Sequence, residues 1–323
     1  MAMPKPKLTS LAAITLALCG QMLTGAAIAQ DGETEEQATH QPLTQEAMAD
    51  ELAAQRALEE AEQRRELEAE SENNPFAITA YRRNYLFPWS YNSTPDEDNF
   101  RPISESEVGN AEVKFQFSAK FKLADNLFVN NGDLYFAYTQ RSWWQAYNSE
   151  ASSPFRETNF EPEFFLSFDN DLSMMGWTNI QNRLVFNHQS NGRSEPLSRS
   201  WNRLYAESVF QRGDWVISLA PHWRIPESEE EDDNPDIERY MGYGDITLAR
   251  RLKENHEVSL LVRGNPGAGH MGYQFDYSLP LSSSMRWHIQ YYHGYGESLV
   301  GYDTSNNRLS LGFSLNSFFT NTR

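Results

Sequence analysis

The sequence predicts an all-β protein, a 12-stranded antiparallel transmembrane β-barrel with an N-terminal acidic arm that is partly helical or disordered. Three observations predict it. The chain opens on a secretory leader, about twelve later segments alternate apolar and polar residues with period two, and the connections between them alternate between short and long.

The leader comes first. Lys5 and Lys7 precede an uncharged stretch from Leu8 to Leu23, and Ala27-Ile28-Ala29 supplies a small-x-small cleavage site, so residues 1–29 read as a signal peptide. A lipoprotein signal ending at Cys19 competes, but Leu18 is bulky where such processing wants a small residue. The chain is expected to leave a Gram-negative cytoplasm. Cys19 is the only cysteine of the 323 residues, which excludes a disulfide framework and a thiolate zinc cluster. A net charge of −18 argues against nucleic acid as a partner. Mean hydropathy is −0.66 despite 13% aromatics, and beyond the leader no run of about 20 apolar residues offers a helical span.

Residues 30–75 form the arm. Between 31 and 72 there are 14 acidic and 3 basic residues, and Gln45 to Glu70 is rich in helix-forming Ala, Glu, Gln and Leu. Its apolar positions are small or sparse, so a stable buried face is not expected and the arm reads as a solvated periplasmic spacer.

From residue 76 to 323 the period is two. Val113, Phe115, Phe117, Ala119, Phe121 and Leu123 alternate with Lys114, Gln116, Ser118, Lys120 and Lys122, giving a strand with two different environments. The pattern recurs at Trp215-Ile217-Leu219, Val258-Leu260-Val262, Met271 to Leu279, Met285 to Tyr291 and Leu309 to Leu315, with weaker segments near 78–90, 134–147, 160–168, 177–188, 200–210 and 240–250. Short connections fall at 211–214, 252–256 and 280–284, and longer ones at 148–159, 189–199, 226–239 and 295–307. An even strand count with short turns on one side places both termini in the periplasm and 189–199 outside the cell. The chain ends Phe318-Phe319-Thr-Asn-Thr-Arg323, without the terminal Phe usual for such barrels, and assembly is expected to tolerate this.

One segment carries chemistry. Residues 186 to 205 include His188-Gln-Ser190 and, past a loop, Trp201-Asn202. On a strand His188 and Ser190 share a face with Leu184 and Phe186, which a barrel turns to lipid. Polar groups left there without purpose are costly. If 177–190 and 200–210 pair as a hairpin, Asn202 sits opposite. A Ser hydroxyl, a His base and an Asn holding the imidazole in one tautomer make an activated nucleophile.

His188-Gln-Ser190-Asn-Gly192-Arg193-Ser, with Ser198-Arg-Ser-Trp201-Asn202-Arg, resembles the signature of the outer membrane phospholipase A family of Gram-negative bacteria. The resemblance spans most of 75–318 and includes Tyr138-Thr-Gln140-Arg-Ser-Trp143-Trp144-Gln, Ser152-Ser-Pro-Phe-Arg-Glu-Thr-Asn159, Asp233-Asn-Pro-Asp236, Tyr240-Met-Gly-Tyr243 and Gly294-Tyr-Gly-Glu-Ser298-Leu. It implies a calcium-dependent phospholipase with A1 and A2 activity on phospholipids and lysophospholipids, surrounded by outer membrane lipids and active as a homodimer. Ser190 is then the nucleophile, His188 the base and Asn202 the orienting residue. Calcium is implied at Arg193 (through its carbonyl), Ser198 and Asp233, with Ser152 supplied by the partner chain, and Gln140 in the dimer interface. Gln189 stands where relatives can carry Asp, which removes a charge beside the nucleophile. Glu195 replaces a commoner Asp near the metal loop.

Bland readings stand beside these. A His-x-Ser pair alone is weak, and most of the run Glu227 to Asp236 reads as solvated loop charge, Asp233 excepted. Asp169-Asn-Asp171 looks calcium-like but fits turn chemistry better. His222, His270, His288 and His293 lie on strands with no recognisable carboxylate or metal spacing. No Gly-x-Ser-x-Gly elbow and no His-Glu-x-x-His helix occurs. The alternative function is a non-enzymatic outer membrane barrel, a pore or structural anchor. A pore predicts conductance indifferent to calcium, whereas the enzyme predicts fatty-acid release that needs it.

Overall fold

The computed structural model describes residues 45–72, 79–315 and 319; the leader 1–29 with Cys19 and the arm up to residue 44 lie outside them. Among the described residues twelve long strands form one antiparallel sheet, to which the two-residue strands Thr79–Ala80 and Ser173–Met174 add. The twelve are β1 Tyr85–Asn92, β2 Ala111–Ala124, β3 Asp133–Trp144, β4 Phe155–Asp169, β5 Trp177–Ser190 and β6 Ser200–Arg212. The second half comprises β7 Trp215–Arg224, β8 Gly244–Arg251, β9 Glu257–Asn265, β10 His270–Pro280, β11 Arg286–Gly294 and β12 Asn306–Ser314. Each strand pairs with its chain neighbours, and β12 returns to β1 through Arg308↔Asn92 and Ser314↔Tyr85, closing the barrel. The seam bulges where Pro88 cannot donate to the ladder. Gly312 lies opposite, and a Cβ there would meet Leu86 O at 2.1 Å, so only glycine fits.

The barrel is inverted relative to a soluble protein. Inward positions hold buried Glu112, Lys114, Gln116, Glu161, Asn187 and Arg308, whereas Phe117, Phe121, Phe164, Leu204, Phe275 and Leu311 point outward and exposed. That is the division lipid demands, with the strands paired in a closed sheet and an apolar outer band. Aromatic side chains such as Trp89, Tyr91, Trp144 and Trp223 are exposed near the long-loop end, where amphipathic rings mark the membrane boundary.

The interior is lined by ion pairs around a cavity of about 380 Å³. Glu112 pairs with Arg156 at 2.6 Å and Arg308 at 2.7 Å, while Glu297 pairs with Arg308 at 3.0 Å and Lys114 at 2.9 Å. His288, expected to lack a carboxylate, meets Asp276 at 2.8 Å across paired strands in this core. At the long-loop end, Trp201, Ile237, Met241, Leu299 and Tyr302 form an apolar cluster that seats the β7–β8 and β11–β12 loops. Asp169 ends β4 and Asn170-Asp171 begin the connection whose turn falls at Met175-Gly176, with Asn170 donating to Asn179 Oδ1 at 2.6 Å and Asp169 bridging Arg65.

The arm differs from its expected character. Gln45–Glu72 is one helix, α1, and it is docked rather than solvated over its middle and end. Glu60 is buried, bonding Arg251 at 2.6 Å and Gln211 at 2.8 Å; Glu68 bonds Lys120 at 2.5 Å and Asp50 bonds Arg212 at 2.7 Å. All of these partners lie at or near the short-turn end of the barrel. The helix lacks an apolar stripe because it docks by charge, which the hydrophobic pattern does not register.

Candidate active site

The site begins as a strand pair. In β5, Val185, Asn187 and Gln189 are buried inside the barrel, whereas Leu184 and Phe186 are exposed outside. His188 and Ser190 therefore lie on the outer wall, with Ser190 two residues nearer the loop. The β5–β6 register sets His188 opposite Asn202 and Ser190 opposite Ser200. His188 Nδ1 is 2.9 Å from Asn202 Oδ1.

The inner wall behind them is rigid. Trp201 is fully buried and donates through Nε1 to Gln189 Oε1 at 2.8 Å, and Arg203 stacks on its ring at 4.2 Å while bonding Asn187 Oδ1 at 2.7 Å. Gln189 thus faces the interior. Its lost charge is not beside the nucleophile on the outer wall, because adjacent strand residues point to opposite faces. No hydrogen bond joins the Ser190 hydroxyl to the His188 ring in this structure; such contacts commonly tighten only with substrate.

The loop after β5 is built on Asn191. Its Oδ1 accepts from Arg193 N and Arg199 N, and its Nδ2 donates to Leu197 O at 2.7 Å. Gly192 takes φ +65°, a left-handed turn next to Phe160 that favours glycine. Arg193 ties the loop to β4 through Phe155 O and Arg156 O. Ser198 Oγ donates to Asp233 Oδ2 at 2.5 Å, and Ser200 N donates to Asp233 Oδ1 at 3.1 Å. Of the four expected calcium ligands, then, Ser198 and Asp233 meet. Arg193 lies in the same loop as Ser198, whereas Ser152 is exposed on the β3–β4 loop at φ +60° and forms no hydrogen bond to them. Glu195 is exposed in the loop.

Among the described residues no three His, Cys, Asp or Glu side chains cluster as a metal site. The expected set contains one carboxylate, the rest being hydroxyls and a carbonyl. That all-oxygen donor set fits a hard cation that keeps waters. Gln140, on the outer face of β3, bonds Tyr138 and Ser142 along its own strand.

The acidic loop holds what the sequence reading missed. Ile225 N donates to Asn202 O at 2.8 Å, continuing the ladder past β7, and two residues further Glu227 Oε1 accepts from Asn202 Nδ2 at 3.0 Å. Arg224 is 3.9 Å from the other Glu227 oxygen and 2.6 Å from Asp232. Asp236 accepts from the Tyr302 hydroxyl at 2.5 Å, and burial together with that carboxylate pushes the Tyr302 phenol above its usual pKa. The run Glu227 to Asp236 is therefore bonded at several points rather than merely solvated. No sequence signal separates Glu227 from the other acids of its run.

Fold and geometry define a class: outer-membrane β-barrels with a polar His-Ser-Asn constellation on the lipid-facing wall. A family model described as Phospholipase A1 matches residues 61–315. The chain is 41% identical to Phospholipase A1 of Klebsiella pneumoniae over 250 residues, covering 76% of this chain and 85% of that one. It is 40% identical to Phospholipase A1 of Escherichia coli K12 over 252 residues, with 76% and 84% covered. Outer membrane phospholipase A from Escherichia coli superposes with a TM-score of 0.72 at 38% identity, covering 76% of this chain and all of that chain. A Salmonella typhi outer membrane phospholipase, solved as a dimer with bound calcium, gives 0.72 at 40% identity, with 76% and 94% covered. The chain belongs to the phospholipase A1 family.

Proposed function

We propose that this chain is a calcium-dependent outer membrane phospholipase that hydrolyses acyl esters at both glycerol positions of phospholipids and lysophospholipids, using Ser190, His188 and Asn202, and that it acts as a homodimer. The observation that carries this is the His188–Asn202 pair at 2.9 Å, held on the outer wall beside Ser190. A catalytic group facing lipid is otherwise a liability, but here the substrate is the lipid itself.

In this reading His188 Nδ1 donates to Asn202, which leaves Nε2 as the base. Ser190 Oγ attacks the ester carbonyl carbon and its proton passes to Nε2. The C=O double bond re-forms as the ester C–O bond to the glycerol oxygen breaks; the alcohol leaves with that proton and the acyl group stays on Ser190 Oγ. Water, deprotonated by Nε2, then attacks it and releases the fatty acid as the Ser190 Oγ–acyl bond breaks and the serine regains its proton. The Ser190 amide would donate to the developing oxyanion in this reading. Ser198, Asp233 and the Arg193 carbonyl, with the partner's Ser152, would hold calcium, which would supply electrostatic stabilisation of negative charge. The dimeric, calcium-bound Salmonella relative supports both the metal and the assembly.

The test uses detergent-dispersed phospholipid labelled separately in each acyl chain, with calcium or chelator. Calcium-dependent release of both labels is expected. Release of only one label overturns the A1/A2 reading, and release that persists in chelator overturns the metal.

A further inference from the structure

We infer that Glu227 is a fourth member of the catalytic relay, a positioning residue that acts through Asn202 on His188. The inference rests on the Ser190–His188–Asn202 reading above.

An Asn partner has two weaknesses that an Asp partner lacks. Its amide can turn and present Nδ2 instead of Oδ1 to the imidazole, and it carries no charge to stabilise the imidazolium that forms during attack. Glu227 answers both. An ionised carboxylate only accepts hydrogen bonds, so the atom of Asn202 facing it at 3.0 Å must be Nδ2. Oδ1 is thereby committed to His188 Nδ1, 2.9 Å away. His188 then carries its proton on Nδ1, and Nε2 is left free to take the proton of Ser190. The carboxylate also polarises the amide, since linked hydrogen bonds strengthen one another where water is sparse. Negative charge thus reaches the imidazole through a neutral side chain.

The loop keeps Glu227 in place. Its root is fixed by the Ile225–Asn202 backbone bond, and its far side by Asp233 on Ser198 and Ser200. The charged groups around the relay are Arg224, which faces Glu227 Oε2 at 3.9 Å, and Asp232, which shares that guanidinium. The closer bond of Arg224 to Asp232 leaves it only partly engaged with Glu227.

The experiment compares full-length wild type, Glu227→Gln, Asn202→Asp, the double substitution, and Ser190→Ala at saturating calcium, each confirmed folded by heat-modifiable mobility. Glu227→Gln is expected to lower kcat about tenfold, the equivalent of about 1.4 kcal/mol, with KM within about twofold. Loss of the remote negative charge should also move the acid limb of the kcat/KM profile to lower pH, because His188 becomes easier to deprotonate. Asn202→Asp alone sets two carboxylates against each other and is expected to be impaired. Adding Glu227→Gln to it should restore activity above either single variant, since one carboxylate again faces the imidazole. Wild-type kcat and an unmoved acid limb in Glu227→Gln, or a loss of kcat with neither a pH shift nor recovery in the double variant, overturns the inference. Activity in Ser190→Ala overturns the underlying triad instead, so the two failures are distinguishable.

Discussion

His188 and Asn202 are directly paired across β5 and β6, and this register places the imidazole Nδ1 2.9 Å from the amide Oδ1. A slip of one residue would turn either side chain into the barrel. The hairpin is locked by Trp201 and Arg203 on its inner face, so the outer geometry is set before any substrate arrives.

Substitutions within the pair should rank by chemistry. His188→Ala removes the base and is expected to lower kcat by at least about a hundredfold, since general-base catalysis contributes ~10²–10⁴. Asn202→Ala should cost less than His188→Ala but at least the roughly tenfold of Glu227→Gln, because it removes the orienting amide and the link to Glu227 while leaving the imidazole in place. Initial-rate measurements on folded protein decide this; a loss equal to that of His188→Ala would contradict the ranking.

Calcium and association should be linked. If Ser152 of one chain completes a site at Ser198 and Asp233 of the other, the dimer binds calcium better than the monomer, and linkage is reciprocal. Chelation is expected to shift dimer to monomer and stop hydrolysis together, in sedimentation and activity assays on one sample. A fully active, calcium-free monomer would contradict this.

The interior ion-pair network should be fragile to partial removal. Glu112→Ala leaves Arg156 and Arg308 without their closest carboxylate inside the barrel. Breaking a buried pair costs about 3–5 kcal/mol, so denaturant unfolding in detergent should shift to lower midpoint. An unchanged midpoint would mean that water reaches the network.

Deletion of 31–72 separates stability from catalysis. The twelve barrel strands and the proposed Ser190–His188–Asn202 site do not use α1, so a folded barrel with specific activity within about twofold is expected, well under the tenfold of 1.4 kcal/mol. Arg251 and Gln211 lose Glu60, so the deletion should lower thermal stability. A variant that folds but fails to dimerise would make the helix a regulatory element.

The barrel was legible in the sequence because lipid imposes a period of two that Val113 to Leu123 displays without interruption, and all twelve strands lie where that alternation falls. His188, Ser190 and Asn202 were legible for the same reason, since parity fixes the face and the hairpin fixes the partner. What was hidden depends on contacts distant in the chain. Glu60 reaches Arg251 across 191 residues, Glu227 reaches Asn202 across 25 from within a mostly acidic run, and His288 finds Asp276 only once the β10–β11 register is known. Charge-mediated docking leaves no periodicity to read.

Whether Ser190 is the nucleophile of a lipid-facing hydrolase is decided by fatty-acid release from wild type and Ser190→Ala, both folded and calcium-loaded, with a sulfonyl fluoride mapped by peptide mass on the wild type. Release by wild type alone and a single label on Ser190 are expected. Release by Ser190→Ala at most of the wild-type rate, or a label on another serine, would overturn the assignment.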